Sequence, residues 1–138
     1  FKTPQKNNKF SYFGMGPNES YADMHHASMI DLYESDAENE YVNYVMPQEH
    51  GNHIATKVLS MNNGLTFEAD DVMEINVSRY TPHILYKAQH QDELESNGAT
   101  NIRIDYKNSG VGSWSCGPEL NQKYRLDEKE IHFAFSIK

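Results

Sequence analysis

Hydrophobic residues along this chain alternate with polar ones over short stretches, and Gly, Asn and Asp punctuate the intervals between them. A period of two puts every second side chain on one side of an extended strand, so the pattern predicts an all-β fold. The clearest predicted strands are residues 101–106, where Ile102 and Ile104 alternate with polar neighbours, and 131–137, where Ile131, Phe133, Phe135 and Ile137 share one face. Residues 72–77 read as a further, less regular strand. Asn62-Asn63-Gly64, between segments 53–61 and 65–68, predicts a hairpin, because Asn-Gly suits the positive-φ turn that joins twisted strands. One short helix is expected from Pro82, with Thr81 as N-cap, proline at the first helical position, and Ile84, Leu85 and Ala88 following. The acidic stretch 34–40 reads as a solvated loop, since it lacks the glycine and spacing of a calcium loop.

Length and charge narrow the picture. A chain of 138 residues is expected to form one domain, and at that size about two-thirds of the unfolded surface can be buried without covalent staples. Cys116 is the single cysteine, so no internal disulfide can form. With no signal-like apolar segment near the start, a reducing cytoplasm is the expected compartment. The net charge of -8, from 12 basic and 20 acidic residues, disfavours nucleic acid or an anionic membrane as partner. No apolar run approaches the roughly 20 residues that a bilayer crossing requires. The chain starts at Phe1 rather than Met, and with the polar, basic stretch from Lys2 to Lys9 it reads as part of something longer.

Four phrases carry more information than the periodicity. They are Phe13-Gly-Met-Gly-Pro-Asn-Glu-Ser-Tyr-Ala-Asp23; Tyr44-Val-Met-Pro-Gln-Glu-His-Gly-Asn52; Asn76-Val-Ser-Arg-Tyr-Thr81 with His90; and Gly110-Val-Gly-Ser-Trp-Ser-Cys-Gly-Pro118. In this order they resemble the C-terminal small-chain domain of β-galactosidases of glycoside hydrolase family 2. The resemblance covers nearly the whole chain and implies an antiparallel β-sandwich, of which this chain is the C-terminal half. It also implies that the two carboxyl groups needed for retaining hydrolysis, about 5 Å apart, lie elsewhere, in a separate (β/α)₈ barrel that holds the magnesium and the sodium or potassium. No cofactor is expected in this segment. The implied partners are a β-galactoside and the remainder of the enzyme, as one chain or as a large subunit.

The resemblance further implies a loop that closes over the sugar-binding cleft and carries an aromatic side chain. Here the matching loop is 110–118, with Ser113, Trp114 and Cys116 as the expected sugar-contacting residues. Trp114 offers a flat apolar face to a sugar ring and an indole N–H to a hydroxyl. In the commoner family form the tryptophan stands further from the first glycine. Trp114 lies four positions after Gly110 and Cys116 six, so Cys116 is nearer the usual place.

Plainer readings stand beside these. Trp114 could be a core plug, and Cys116 has no identifiable base to make it a nucleophile. His25-His26 and His50-x-x-His53 invite a metal hypothesis; but adjacent strand residues point to opposite faces, and no third ligand is evident. Glu19, Tyr21, Asp23 and Glu49 are expected to satisfy backbone donors and anchor loops. His90 is expected to make a structural hydrogen bond, and Arg79 and Tyr80 to pack at the start of the helix. Three functions stay open: a non-catalytic part of a β-galactosidase, a free-standing lectin-like module, and an assembly domain without sugar contact.

Overall fold

The computed structural model describes residues 1–112 and 118–138. The strands are β1 (Lys2–Pro4), β2 (Lys9–Gly16), β3 (Met29–Asp36), β4 (Asn52–Met61), β5 (Thr66–Ser78), β6 (Ala99–Asp105) and β7 (Phe135–Ile137). They form an antiparallel sheet in the order β1-β6-β5-β4-β2-β3, with β7 added beside β5. The fold is all-β, as the alternation predicts. Among the described residues the one α-helix, α1 (Pro82–Lys87), begins as expected: the Thr81 hydroxyl accepts the Ile84 N–H, and Leu85 turns inward. Among the described residues no helix is long and apolar enough to cross a membrane.

Alternation sorts the sheet into two faces. Phe10 and Tyr12 of β2, Leu59 and Met61 of β4, Phe67, Ala69, Met73, Ile75 and Val77 of β5, and Ile102 of β6 form one buried core. Each large apolar side chain in it contributes about 1.5 to 3 kcal/mol. The opposite face of the same strands is polar, and through the second half of β5 it is buried too.

The core is enclosed because β5 bends. Thirteen residues of straight strand would hold its ends about 40 Å apart. Yet β1, which the ladder places beyond the far end of β5, touches the β4–β5 hairpin, where Asn63 Nδ2 donates to Thr3 Oγ1 at 3.1 Å. The break lies where Thr56 pairs with Met73 while Val58 pairs with Glu68. Beside it, Ala55 has φ of 53°. On either side of this bend β5 offers one edge to two partners, β7 along Phe67–Ala69 and β6 along Glu74–Ser78.

The bend also shortens the last predicted strand. Only Phe135–Ile137 of the expected 131–137 forms a strand, because β5 bends just beyond Ala69 and its edge past the bend is taken by β6. Phe133 still packs on the core, while Ile131 is 46% exposed. The Asn62-Asn63-Gly64 hairpin is present, but only Gly64 has positive φ, and the turn closes through Gly64 N–H to Met61 O and Met61 N–H to Leu65 O. The acidic stretch 34–40 is not a free loop. Glu34, Ser35 and Asp36 end β3, paired with Ser11, Phe10 and Lys9, and Glu40 is buried.

Candidate functional site

The polar face of the sheet is where the four phrases meet. Across the ladder Asn52 of β4 stands beside Asn76 of β5, and Asn76 beside Arg103 of β6; Glu74 stands beside Asp105. Their apolar neighbours Ile75, Ile102, Ile104 and Val77 face the core, so the register sends these polar side chains to the other side. Turns from the first and second phrases and the stem of the 110–118 loop cover them.

Glu74 is the centre of that face. Its Oε2 accepts from Asn52 Nδ2 at 2.8 Å and from the Asn108 backbone N–H at 3.0 Å. Asn108 Nδ2 returns to Asn52 Oδ1 at 3.0 Å, and Asn52 Nδ2 also donates to Ser20 O at 3.0 Å. Burial holds the Glu74 carboxyl above the usual carboxylate range, although the Asn52 and Asn108 bonds pull the other way. Asn76 Nδ2 donates to the His50 carbonyl. The next residue, Gly51, has φ of 67°, and a Cβ there would lie 2.7 Å from the Glu40 carbonyl. Its N–H donates to Glu19 Oε2 at 2.8 Å, and Tyr44 hydroxyl donates to Glu19 Oε1.

Arg103 binds Glu49 with two nitrogens and Asp105 with its Nε, at 2.6 Å. Burial works against the guanidinium charge, but Glu49 and Asp105 more than offset it and hold its pKa above the ordinary value. Tyr21, fully buried, donates its hydroxyl to Glu49 Oε1. Burial pushes that phenol far above its usual range, with Glu49 and Glu19 adding to the effect.

Asp23 links the first phrase to the fourth. Its Oδ1 accepts the Val111 N–H and its Oδ2 the Gly112 N–H, both at 3.0 Å. A Cβ on Gly110 would stand 2.5 Å from Asp23 Cγ, and one on Gly112 3.1 Å from Oδ2. The Gly-x-Gly is thus the surface on which one carboxylate docks. The expected sugar-contacting residues Ser113, Trp114 and Cys116 lie outside the described residues.

These carboxylates are bound to protein donors, which makes them holders of backbone and of one another's partners. Glu19, Tyr21, Asp23 and Glu49 anchor loops, as their motif context suggests. What the motifs do not reveal is the pairing: Arg103 reads as one more polar position in the strand, and neither Glu74 nor Asn108 carries a signal of its own.

The histidines divide. His53 is in the core face, its Nε2 2.8 Å from Glu40 Oε2 and its Nδ1 3.0 Å from Tyr12 Oη. His50 Nδ1 meets Gln48 O at 2.8 Å. His25 and His26 lie in a turn rather than a strand, so their rings do not point apart but stack, with centroids 4.7 Å apart. His90 meets Glu93 at 2.9 Å on the surface, and Tyr80 packs edge-on against Tyr41. Among the described residues no group of three or more His, Cys, Asp or Glu side chains is placed to hold a metal ion. A cleft of about 720 Å³ lies beside Asp23, lined by Asn18, Glu19, His25, His26 and Glu40 among others.

Residues 1–137 match the protein family described as Beta galactosidase small chain. The chain belongs to that family. A β-galactosidase of Actinobacillus pleuropneumoniae is 39% identical over 130 residues, which cover 94% of this chain and 13% of that protein. One of Staphylococcus xylosus is 34% identical over 138 residues, 98% of this chain and 14% of its own length. One of Kluyveromyces lactis is 32% identical over 135 residues, with 93% and 13% covered. This small-chain segment therefore spans 13 to 14% of the length of these relatives.

Proposed function

We propose that this small-chain segment is a non-catalytic part of a β-galactosidase and completes the sugar-binding cleft with its 110–118 loop. The observation that carries the reading is the Asp23 contact. A carboxylate from the first phrase fixes the backbone of the fourth, so that the motifs shared with the family converge on the loop's root. Aromatic and polar residues placed on a loop held by a rigid sheet are well suited to ligand contact. The ligand is a terminal β-D-galactoside such as lactose, and the partner is the remainder of the enzyme.

Hydrolysis with retention needs an acid/base and a nucleophilic carboxyl group facing one cleft. Glu19, Asp23, Glu40, Glu49 and Glu74 each accept bonds from protein donors, and a carboxylate so engaged is poorly suited to proton transfer. The chemistry, with its magnesium and alkali-metal ions, belongs to the barrel, and the assembled enzyme works in the cytoplasm.

Two measurements test this. The isolated segment leaves a chromogenic β-galactoside intact; turnover that disappears when one of its own carboxylates is changed to an amide overturns the assignment. In the assembled enzyme, Trp114→Ala raises KM about tenfold, the scale of a lost stacking contact, or Cys116→Ala raises it in its place. Unchanged KM in both variants leaves the segment an assembly domain.

A further inference from the structure

We infer that Asp23 is a positioning residue for sugar binding: by holding the Val111 and Gly112 amides it sets the direction in which the chain enters the 110–118 loop. This rests on the reading above and names the residue through which the fold controls that loop.

Asp23 is presented rigidly. It sits at the tip of a tight turn in which the Tyr21 N–H donates to Met24 O at 2.8 Å and the Met24 N–H donates to Tyr21 O at 3.0 Å. Tyr21, two residues before it, is buried and bonded to Glu49, which Arg103 of β6 clamps. The strand that leads into the loop is therefore attached to this turn at two points. One is Arg103 through Glu49 and Tyr21, and the other is the pair of amides on Asp23. Between them, Glu74 holds the Asn108 amide. From residue 103 to residue 112 the backbone is fixed to one frame.

Fold stability alone does not demand the second point. Gly112 is exposed and Val111 half-buried, and exposed amides find water at little cost. What the carboxylate adds is direction. Two consecutive N–H groups docked on one planar acceptor fix the orientation of that peptide unit, and a side chain at Gly110 would collide with the Asp23 carboxylate. The other end of the loop is also fixed: Leu120 is buried and its carbonyl accepts from Arg125 Nε at 2.7 Å.

The test is steady-state kinetics with lactose in the assembled enzyme, comparing Asp23→Ala and Asp23→Asn with Trp114→Ala and Cys116→Ala. Asn keeps the size and one acceptor but cannot accept from the second amide. Asp23→Ala is expected to raise KM about tenfold and Asp23→Asn about threefold, with kcat within about twofold and melting within about 3 °C of the parent. If the loop variants raise KM while both Asp23 variants leave it alone, Asp23 is not a positioning residue and the functional reading stands. A loss of kcat at unchanged KM, in step with lost folded protein, also overturns the inference. If none of the four variants changes KM, the functional reading itself falls and takes the inference with it. Should the alanine variant fail to fold, the near-isosteric asparagine decides alone, by its KM.

Discussion

Arg103 and Glu49, 54 residues apart in sequence, meet side-on, with Arg103 Nη1 2.8 Å from Glu49 Oε2 and Nη2 bonded to Oε1. Such a two-pronged pair couples two elements more firmly than one bond, because it fixes an angle as well as a distance. Here it joins the strand that feeds the loop to the segment that carries the second phrase. Their side chains are 25% and 32% exposed, so the pair is shielded on most sides.

Removing one partner strands the other. Arg103→Ala is expected to cost about 2 to 3 kcal/mol in urea unfolding, because Glu49 is left without its counter-charge. Arg103→Lys recovers less than half of that, since an ammonium cannot make the fork. Equal stability of the lysine variant and the parent would show that charge alone matters at this position.

His53 and Glu40 are a tighter case, at 1% and 8% exposure with 2.8 Å between Nε2 and Oε2. His53→Ala removes a bond from a buried carboxylate and opens a gap beside Tyr12. The expected loss is about 3 to 5 kcal/mol by chemical denaturation. A loss below about 1 kcal/mol would mean that the Ser35 hydroxyl, which also donates to Glu40, suffices for it.

Glycines with positive φ are separable by their surroundings. Gly51→Ala meets both a left-handed backbone and the Glu40 carbonyl, whereas a methyl group on Gly64 meets nothing within 4 Å. The first is expected to cost about 2 to 4 kcal/mol and the second about 1 kcal/mol. Calorimetric melting of the two variants side by side checks the order.

Glu74 gives a pH dependence of definite sign. Its folded pKa is raised from the ordinary 4.5, chiefly by burial. Its contribution to stability is thus fully present below pH 4.5 and is lost as pH rises through the folded value. In Glu74→Gln one amide oxygen can take both bonds now made to Oε2, without a charge to bury. That variant is expected to be as stable as the parent or more so at pH 7, with any advantage fading below pH 4.5. Melting curves at pH 4 and pH 7 measure it, and an advantage that grows on acidification would contradict the burial argument.

Local pattern and long-range pairing divide what could be read in advance. The capping hydroxyl of Thr81 next to Pro82, the Asn62-Asn63-Gly64 turn and the alternation of Ile102 with Ile104 each depend on neighbours within a few residues, and each is present. Strand β3 is hidden for the opposite reason. Its last residues, Glu34 to Asp36, read as solvated loop because they are acidic, and only their pairing with Lys9 to Ser11 of β2 makes them strand. The last strand reads too long because its alternation persists where β5 has already turned away. In the site, motif context marks Asp23 and Glu49 as anchors but does not disclose what they hold, because their partners lie 88 and 54 residues away.

The outermost ladder has a consequence for assembly in time. Strand β1 pairs with β6, and Phe1 N bonds to Ile102 O across a separation of 101 positions. Contacts that close so much chain form slowly, after turns such as the β4–β5 hairpin that close only a few residues. The Asp23 contact, spanning 88 positions, belongs with the slow group. A refolding chain should therefore regain strand signal first and the geometry at the root of its loop last.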